Sequence, residues 1–127
     1  MGLEPGLEGT AEATVDDAMT ASSLGSGDVP VLGTPAVLAL VESAAVRALQ
    51  GRLGAGQTSV GSAVELRHVA PTRVGMTVRA AVRLAAVDGR TLHFDFEVTD
   101  DAGAIARGRH DRVIVERESF LDTASRR

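Results

Sequence analysis

Glu42 lies inside the apolar run from Thr34 to Val46, where helical spacing makes Leu38, Ala39, Ala45 and Val46 its surface neighbours. A carboxylate among aliphatic side chains is either paired with a cation or put to use, because an unpartnered charge is costly to bury. His68 raises the same question. It continues the alternate-residue face Val60, Ser62, Val64, Leu66 of the extended run 57–68, so a strand there aims its imidazole inward. Thr34 stands just before Pro35, the pattern of an N-cap hydroxyl followed by a proline at the first helical position. A carboxylate that acts as base or nucleophile, an imidazole that carries protons and a hydroxyl at the positive end of a helix form a set suited to acid–base or nucleophilic chemistry. Each also has a plainer role: Thr34 as an ordinary cap, His68 as a satisfied strand-end histidine, Glu42 as half of an ion pair with an arginine.

Composition removes several other chemistries. The chain has 127 residues, no cysteine and 44% hydrophobic residues, which fits one globular domain without disulfides or thiolate metal sites. All 13 basic residues are arginine, so lysine Schiff-base chemistry is excluded. A formal charge of −4, scattered arginines and 2% aromatics argue against nucleic acid, which calls for basic clusters and stacking surfaces. The opening Met1-Gly2-Leu3-Glu4-Pro5 lacks the character of a secretory leader, and no apolar run is long enough to span a bilayer. A cytoplasmic protein with no membrane contact is expected. His93 and His110 fall on different strands without ligand-like spacing, so no metal is expected. The stretch Gly51–Gly56 follows a helix instead of preceding one, which makes it a stop and linker, not a phosphate loop.

The positioning elements are legible from periodicity. A weak strand is predicted at 10–15, a Gly/Ser/Pro-punctuated loop at 21–33 long enough to act as a lid, and a helix from Thr34 to about Leu49 or Arg52. Strands follow at 57–68, 78–86, 92–98 and 105–115, with a tight turn at Asp88-Gly89. Residues 1–9 and 118–127 read as flexible tails of a single domain spanning 1–127. A helix apolar almost all round must be covered on more than one side, and an antiparallel sheet of about five strands wrapped around it does so. The aromatic-poor core gains from burial in a homodimer or higher homo-oligomer, with sites near the subunit boundary.

This order resembles the α+β hotdog fold. The segments Gly33-Thr34-Pro35-Ala36, Leu40-Val41-Glu42-Ser43-Ala44-Ala45, Val60-Gly61-Ser62-Ala63-Val64 and Arg67-His68-Val69-Ala70-Pro71-Thr72-Arg73-Val74-Gly75 resemble the fluoroacetyl-CoA thioesterase family of hotdog enzymes. The resemblance covers roughly Val29 to Val115. It implies hydrolysis of an acyl-CoA thioester to free acid and coenzyme A, with Thr34, Glu42 and His68 as the catalytic set and no cofactor beyond the coenzyme A of the substrate. It also implies that the Gly61 amide binds the thioester carbonyl. The family's late Gly-x-His-x-Arg segment falls on Gly108–Arg112, and Arg112 is the arginine expected to bind substrate; Arg67, Arg73, Arg107 and Arg109 are further candidates for the coenzyme A phosphates. One departure is clear. Phenylalanines shape the pocket in that family, whereas this chain has Leu24, Val29, Val31 and Leu32 ahead of the helix and no Phe before Phe94. The expectation is hydrolysis without a large preference for fluoroacetyl over acetyl. The competing class is a non-catalytic acyl-CoA binding hotdog protein; a hotdog dehydratase is disfavoured because the helix carries no histidine.

Overall fold

The computed structural model describes residues 2–127, over which five strands and three helices form. Their order is β1 Glu8–Thr14, α1 Ala21–Leu24, α2 Thr34–Leu49, β2 Gln57–His68, β3 Thr77–Asp88, β4 Thr91–Asp100, β5 Gly103–Glu116 and α3 Arg117–Ser125. The strands make one antiparallel sheet in the order β1-β3-β4-β5-β2, so β1 and β2 are its edges. Alternation decides which face is inner: Val78, Ala80, Val82 and Leu84 of β3 and Leu92, Phe94, Phe96 and Val98 of β4 are buried, while Arg79, Arg83, Asp95 and Glu97 face solvent.

Helix α2 lies on the inner face through Val37, Val41, Ala44, Ala45, Ala48 and Leu49. Small residues let it come close. A Cβ at Gly9 of β1 would collide with Ala44 O and the backbone of Ala48, so that contact requires glycine. The opposite face of α2 is open: Ala39 and Ser43 are exposed, and Val46 is 52% exposed. The sheet therefore covers one side of the helix, not the several sides expected from its apolar sequence.

Four local expectations change. Gly33, not Thr34, is the N-cap of α2; its extended backbone ends the preceding loop and no side chain caps the helix. The loop before it is folded in part, with Thr20 capping the short α1, Ser22 and Ala21 bonded back to Val29 and Val31, and Leu32 bonded to Thr72. The stretch 118–127 is helical over most of its length, as α3, and Ser119, Thr123 and Ser125 return hydrogen bonds to preceding carbonyls. At the other end, Gly6 and Leu7 already bond Leu84, so only the first part of 2–9 lies off the sheet.

A β-bulge between Gly61 and Ala63 shifts the phase of β2. Beyond it, Val64, Leu66 and His68 pair with the inward residues His110, Gly108 and Ala106, as alternation predicted. Before it, Ser59 and Gly61 take the inner face in place of Val60 and Ser62, as their contacts with Arg112 and Glu42 show. One extra residue reverses the register.

Candidate active site

The five residues singled out from sequence fall into two groups. In the first, the first residue of α2 meets the last residue of β2: Thr34 Oγ1 lies 2.9 Å from His68 Nδ1. Because Gly33 ends the loop, the Thr34 hydroxyl is free of a capping bond and available to the imidazole. His68 Nε2 is buried without a hydrogen-bond partner among the described residues. Burial pulls the His68 pKa below its ordinary value; the Ala70 backbone, short of hydrogen-bond geometry, opposes this, and burial prevails. Burial thus favours the neutral imidazole. The pair borders a cavity of about 340 Å³ whose aliphatic wall is Val29, Val31, Leu32, Val69, Ala70 and Pro71, with Ser26 as a further polar side chain.

The second group gathers where α2 crosses β2 and β5. Glu42 Oε2 lies 3.5 Å from Arg112 Nη1 and 3.9 Å from His110 Nε2. Arg112 donates from Nε to Ser59 Oγ at 2.9 Å and from Nη2 to Ser59 O at 3.1 Å, and its Nη1 lies 3.1 Å from His110 Nε2. His110 Nδ1 is 3.0 Å from the Ala63 carbonyl at the bulge. The Arg112 side chain is 6% exposed, whereas that of Glu42 is 41% exposed. Burial lowers the Arg112 pKa, and the charge and hydrogen bonding of Glu42 act in the opposite direction; a guanidinium stays protonated regardless. Glu42 is thus held from behind by a buried cation and open in front to a concavity of about 450 Å³ shared with Ser43, Val46 and Arg47.

Gly61 completes this group through absence of a side chain. A Cβ there would run into Glu42 Oε2 and sit 3.2 Å from His110 Cε1, so the carboxylate occupies space that only glycine leaves. Three placements differ from the sequence reading. Glu42 is half-exposed, because the face of α2 that carries it is uncovered. Arg112 points inward and is engaged by Ser59 and His110 where it borders the concavity beside Glu42, whereas Arg67, Arg73, Arg107 and Arg109 are exposed. Thr34 and Glu42, eight residues apart on one helix, are separated by about 12 Å of helical rise, so a single chain does not join them around one atom.

Sequence reasoning missed Ser59 and did not use His110. Ser59 was hidden by the bulge. His110 had a readable signal, since His110 and Arg112 alternate with Ile114 onto the buried face of β5. The other histidine, His93, faces the outer side of the sheet, bonded to Asp111 at 2.7 Å. A concavity of about 640 Å³ lies on that outer face and is bordered by none of Thr34, Glu42 or His68.

The chain is similar in sequence and fold to known proteins. The chain is 34% identical over 90 residues to a fluoroacetyl-CoA thioesterase of Streptantibioticus cattleyicolor, a stretch that spans 71% of this chain and 65% of that protein. It superposes with a TM-score of 0.93 at 27% identity on a Thr-to-Ser variant of a fluoroacetyl-CoA thioesterase solved with acetyl-CoA, over 98% of both chains. A hot-dog-like protein of Thermanaerovibrio acidaminovorans, at 24% identity, superposes with a TM-score of 0.87 over 96% of this chain and 90% of its own, which establishes the hotdog fold. The profile of the fluoroacetyl-CoA-specific thioesterases matches residues 15–118, and the chain belongs to that family.

Proposed function

We propose that this protein hydrolyses acyl-CoA thioesters, with Thr34, His68 and Glu42 as the reacting groups. The observation that carries the reading is the 2.9 Å contact between a Thr34 hydroxyl freed from capping and the Nδ1 of a neutral His68. With the proton of His68 on Nε2, Nδ1 accepts from Thr34 and the hydroxyl oxygen is left to orient water or substrate. Glu42 takes a proton from water as the water oxygen attacks the thioester carbonyl; the carbonyl oxygen becomes the oxyanion, the C–S bond breaks, and the coenzyme A thiolate leaves with little acid assistance. The Gly61 amide is the proposed donor to that oxyanion. Arg112 serves the reaction by holding Glu42, and the exposed arginines are left for the phosphates of coenzyme A. The fluoroacetyl-CoA thioesterase structure solved with acetyl-CoA supports an acyl-CoA as the ligand class.

Two copies of the chain form the working unit in this proposal. The unpaired edge of β2 and the open face of α2 supply complementary surfaces, and a two-fold axis that sets two α2 helices antiparallel brings Glu42 of one toward Thr34 of the other. The acyl group sits in the aliphatic cavity beside Thr34. With Val29, Val31 and Leu32 there and no phenylalanine, fluoroacetyl is not expected to be strongly preferred over acetyl.

A panel of short- to medium-chain acyl-CoAs, run alongside sedimentation, tests the reading. Turnover above buffer by a dimer or larger assembly is expected. Binding without turnover would replace the enzyme by an acyl-CoA binding protein, an active monomer at micromolar concentration would remove the shared site, and a strong fluoroacetyl preference would overturn the reading of the cavity.

A further inference from the structure

We infer that His110 is a positioning residue for the reaction: as a neutral Nδ1–H imidazole it clamps Arg112, and through Arg112 it fixes the Glu42 carboxylate. The inference rests on the assignment of Glu42 as the base, but its structural half stands apart from it.

The tautomer follows from donors and acceptors. An arginine nitrogen only donates, so the 3.1 Å contact with Arg112 Nη1 requires His110 Nε2 to be an acceptor. A neutral imidazole that accepts at Nε2 carries its proton on Nδ1, and Nδ1 faces the Ala63 carbonyl at 3.0 Å, which only accepts. Both contacts demand the same form. A proton on Nε2 would instead turn a donor toward the Arg112 Nη1 donor at 3.1 Å. The ring is 2% exposed and backed by the β2 bulge, so it has little freedom to turn away.

The clamp removes the slack of the guanidinium. Ser59 binds Nε and Nη2 from one side and His110 binds Nη1 from the other, so the remaining Nη1 hydrogen is aimed along one direction, toward Glu42 Oε2. Without His110 the guanidinium keeps only the Ser59 contacts and can pivot about them. A carboxylate misplaced by about 1 Å loses rate on the scale of a hundredfold, whereas substrate contacts made elsewhere persist.

Two substitutions divide the two bonds. His110→Gln keeps an acceptor where Nε2 stood but gives up the bond to Ala63; His110→Asn keeps a donor where Nδ1 stood but gives up the acceptor for Arg112. The expected result is a kcat reduced about tenfold or more in His110→Asn, with KM near wild type, and substantial recovery of kcat in His110→Gln. Recovery by Asn and not Gln would show that His110 only braces the bulge, and two wild-type rates would overturn the proposal. Nitrogen-15 NMR of the imidazole reads the clamp directly: Nδ1–H is expected, and Nε2–H overturns it. If the wild-type protein turns over no acyl-CoA, the proposed function fails while the NMR measurement still decides the His110–Arg112 clamp.

Discussion

The Thr34–His68 pair and the Glu42–Arg112 cluster use the same kinds of group under opposite constraints. The first joins a helix terminus to a strand terminus beside an apolar cavity, with one direct hydrogen bond and an orphaned imidazole nitrogen. The second sits where α2 crosses the sheet, and four hydrogen bonds immobilise the cation and imidazole behind a half-exposed carboxylate. The first pair leaves one ring nitrogen without a partner, while the carboxylate of the second is backed by a cation whose own donors are satisfied. The two regions therefore should respond differently to the same insult.

The largest effect is expected at Glu42. Glu42→Gln keeps shape and removes the basic oxygen, so the hydrolytic rate should fall at least about a hundredfold. Arg112 retains Ser59 and His110, and the melting temperature should stay within about 5 °C, the equivalent of roughly 1 kcal/mol. An unchanged rate with a sharply lower melting point would make Glu42 a structural ion and erase the contrast.

Next come two glycines that a Cβ treats unequally. At Gly61 the added methyl meets the end of a flexible side chain, so Gly61→Ala should fold and lose about tenfold or more in kcat by displacing Glu42. At Gly9 it meets the backbone of α2, so Gly9→Ala should cost about 1–3 kcal/mol of stability through overpacking. Equal stability losses at both positions, measured by denaturant unfolding, would show that the Glu42 site is as rigid as the core.

At Thr34 the expected loss is about tenfold or more for Thr34→Val and small for Thr34→Ser, because only valine lacks the hydroxyl that His68 bonds. Neither should lower the melting temperature, since Thr34 makes no capping bond. A drop of the size of a lost N-cap, about 1 kcal/mol, would return Thr34 to a structural role.

The smallest effect is on stability against pH. Burial holds the folded His68 below the ordinary histidine value of about 6.5. Between those two values the unfolded chain binds the extra proton, so stability is complete above about pH 6.5 and falls as pH drops through the window. Denaturant midpoints compared between wild type and His68→Asn should converge on acidification. Parallel curves would mean that His68 is not held neutral by burial.

Much of this molecule was legible in its residues. Alternation in β3 and β4, the Asp88-Gly89 turn and the span of α2 follow from spacing alone, because a strand or helix repeats its facing every two or about 3.6 residues. Thr34, His68, Glu42, Gly61 and Arg112 could be named from the family pattern for the same reason: local order carries the motif. What the sequence could not show was how these five divide. A single extra residue in β2 turned Ser59 and Gly61 inward, and nothing in the alternation of 57–68 marks where a bulge falls. That Arg112 meets the Glu42 carboxylate depended on β5 pairing with β2, which set Arg112 opposite Gly61 and beneath α2. Spacing along the chain determines which side chains share a face; only the packing of α2 across the sheet decided which polar groups meet there, because those contacts join residues up to 70 positions apart.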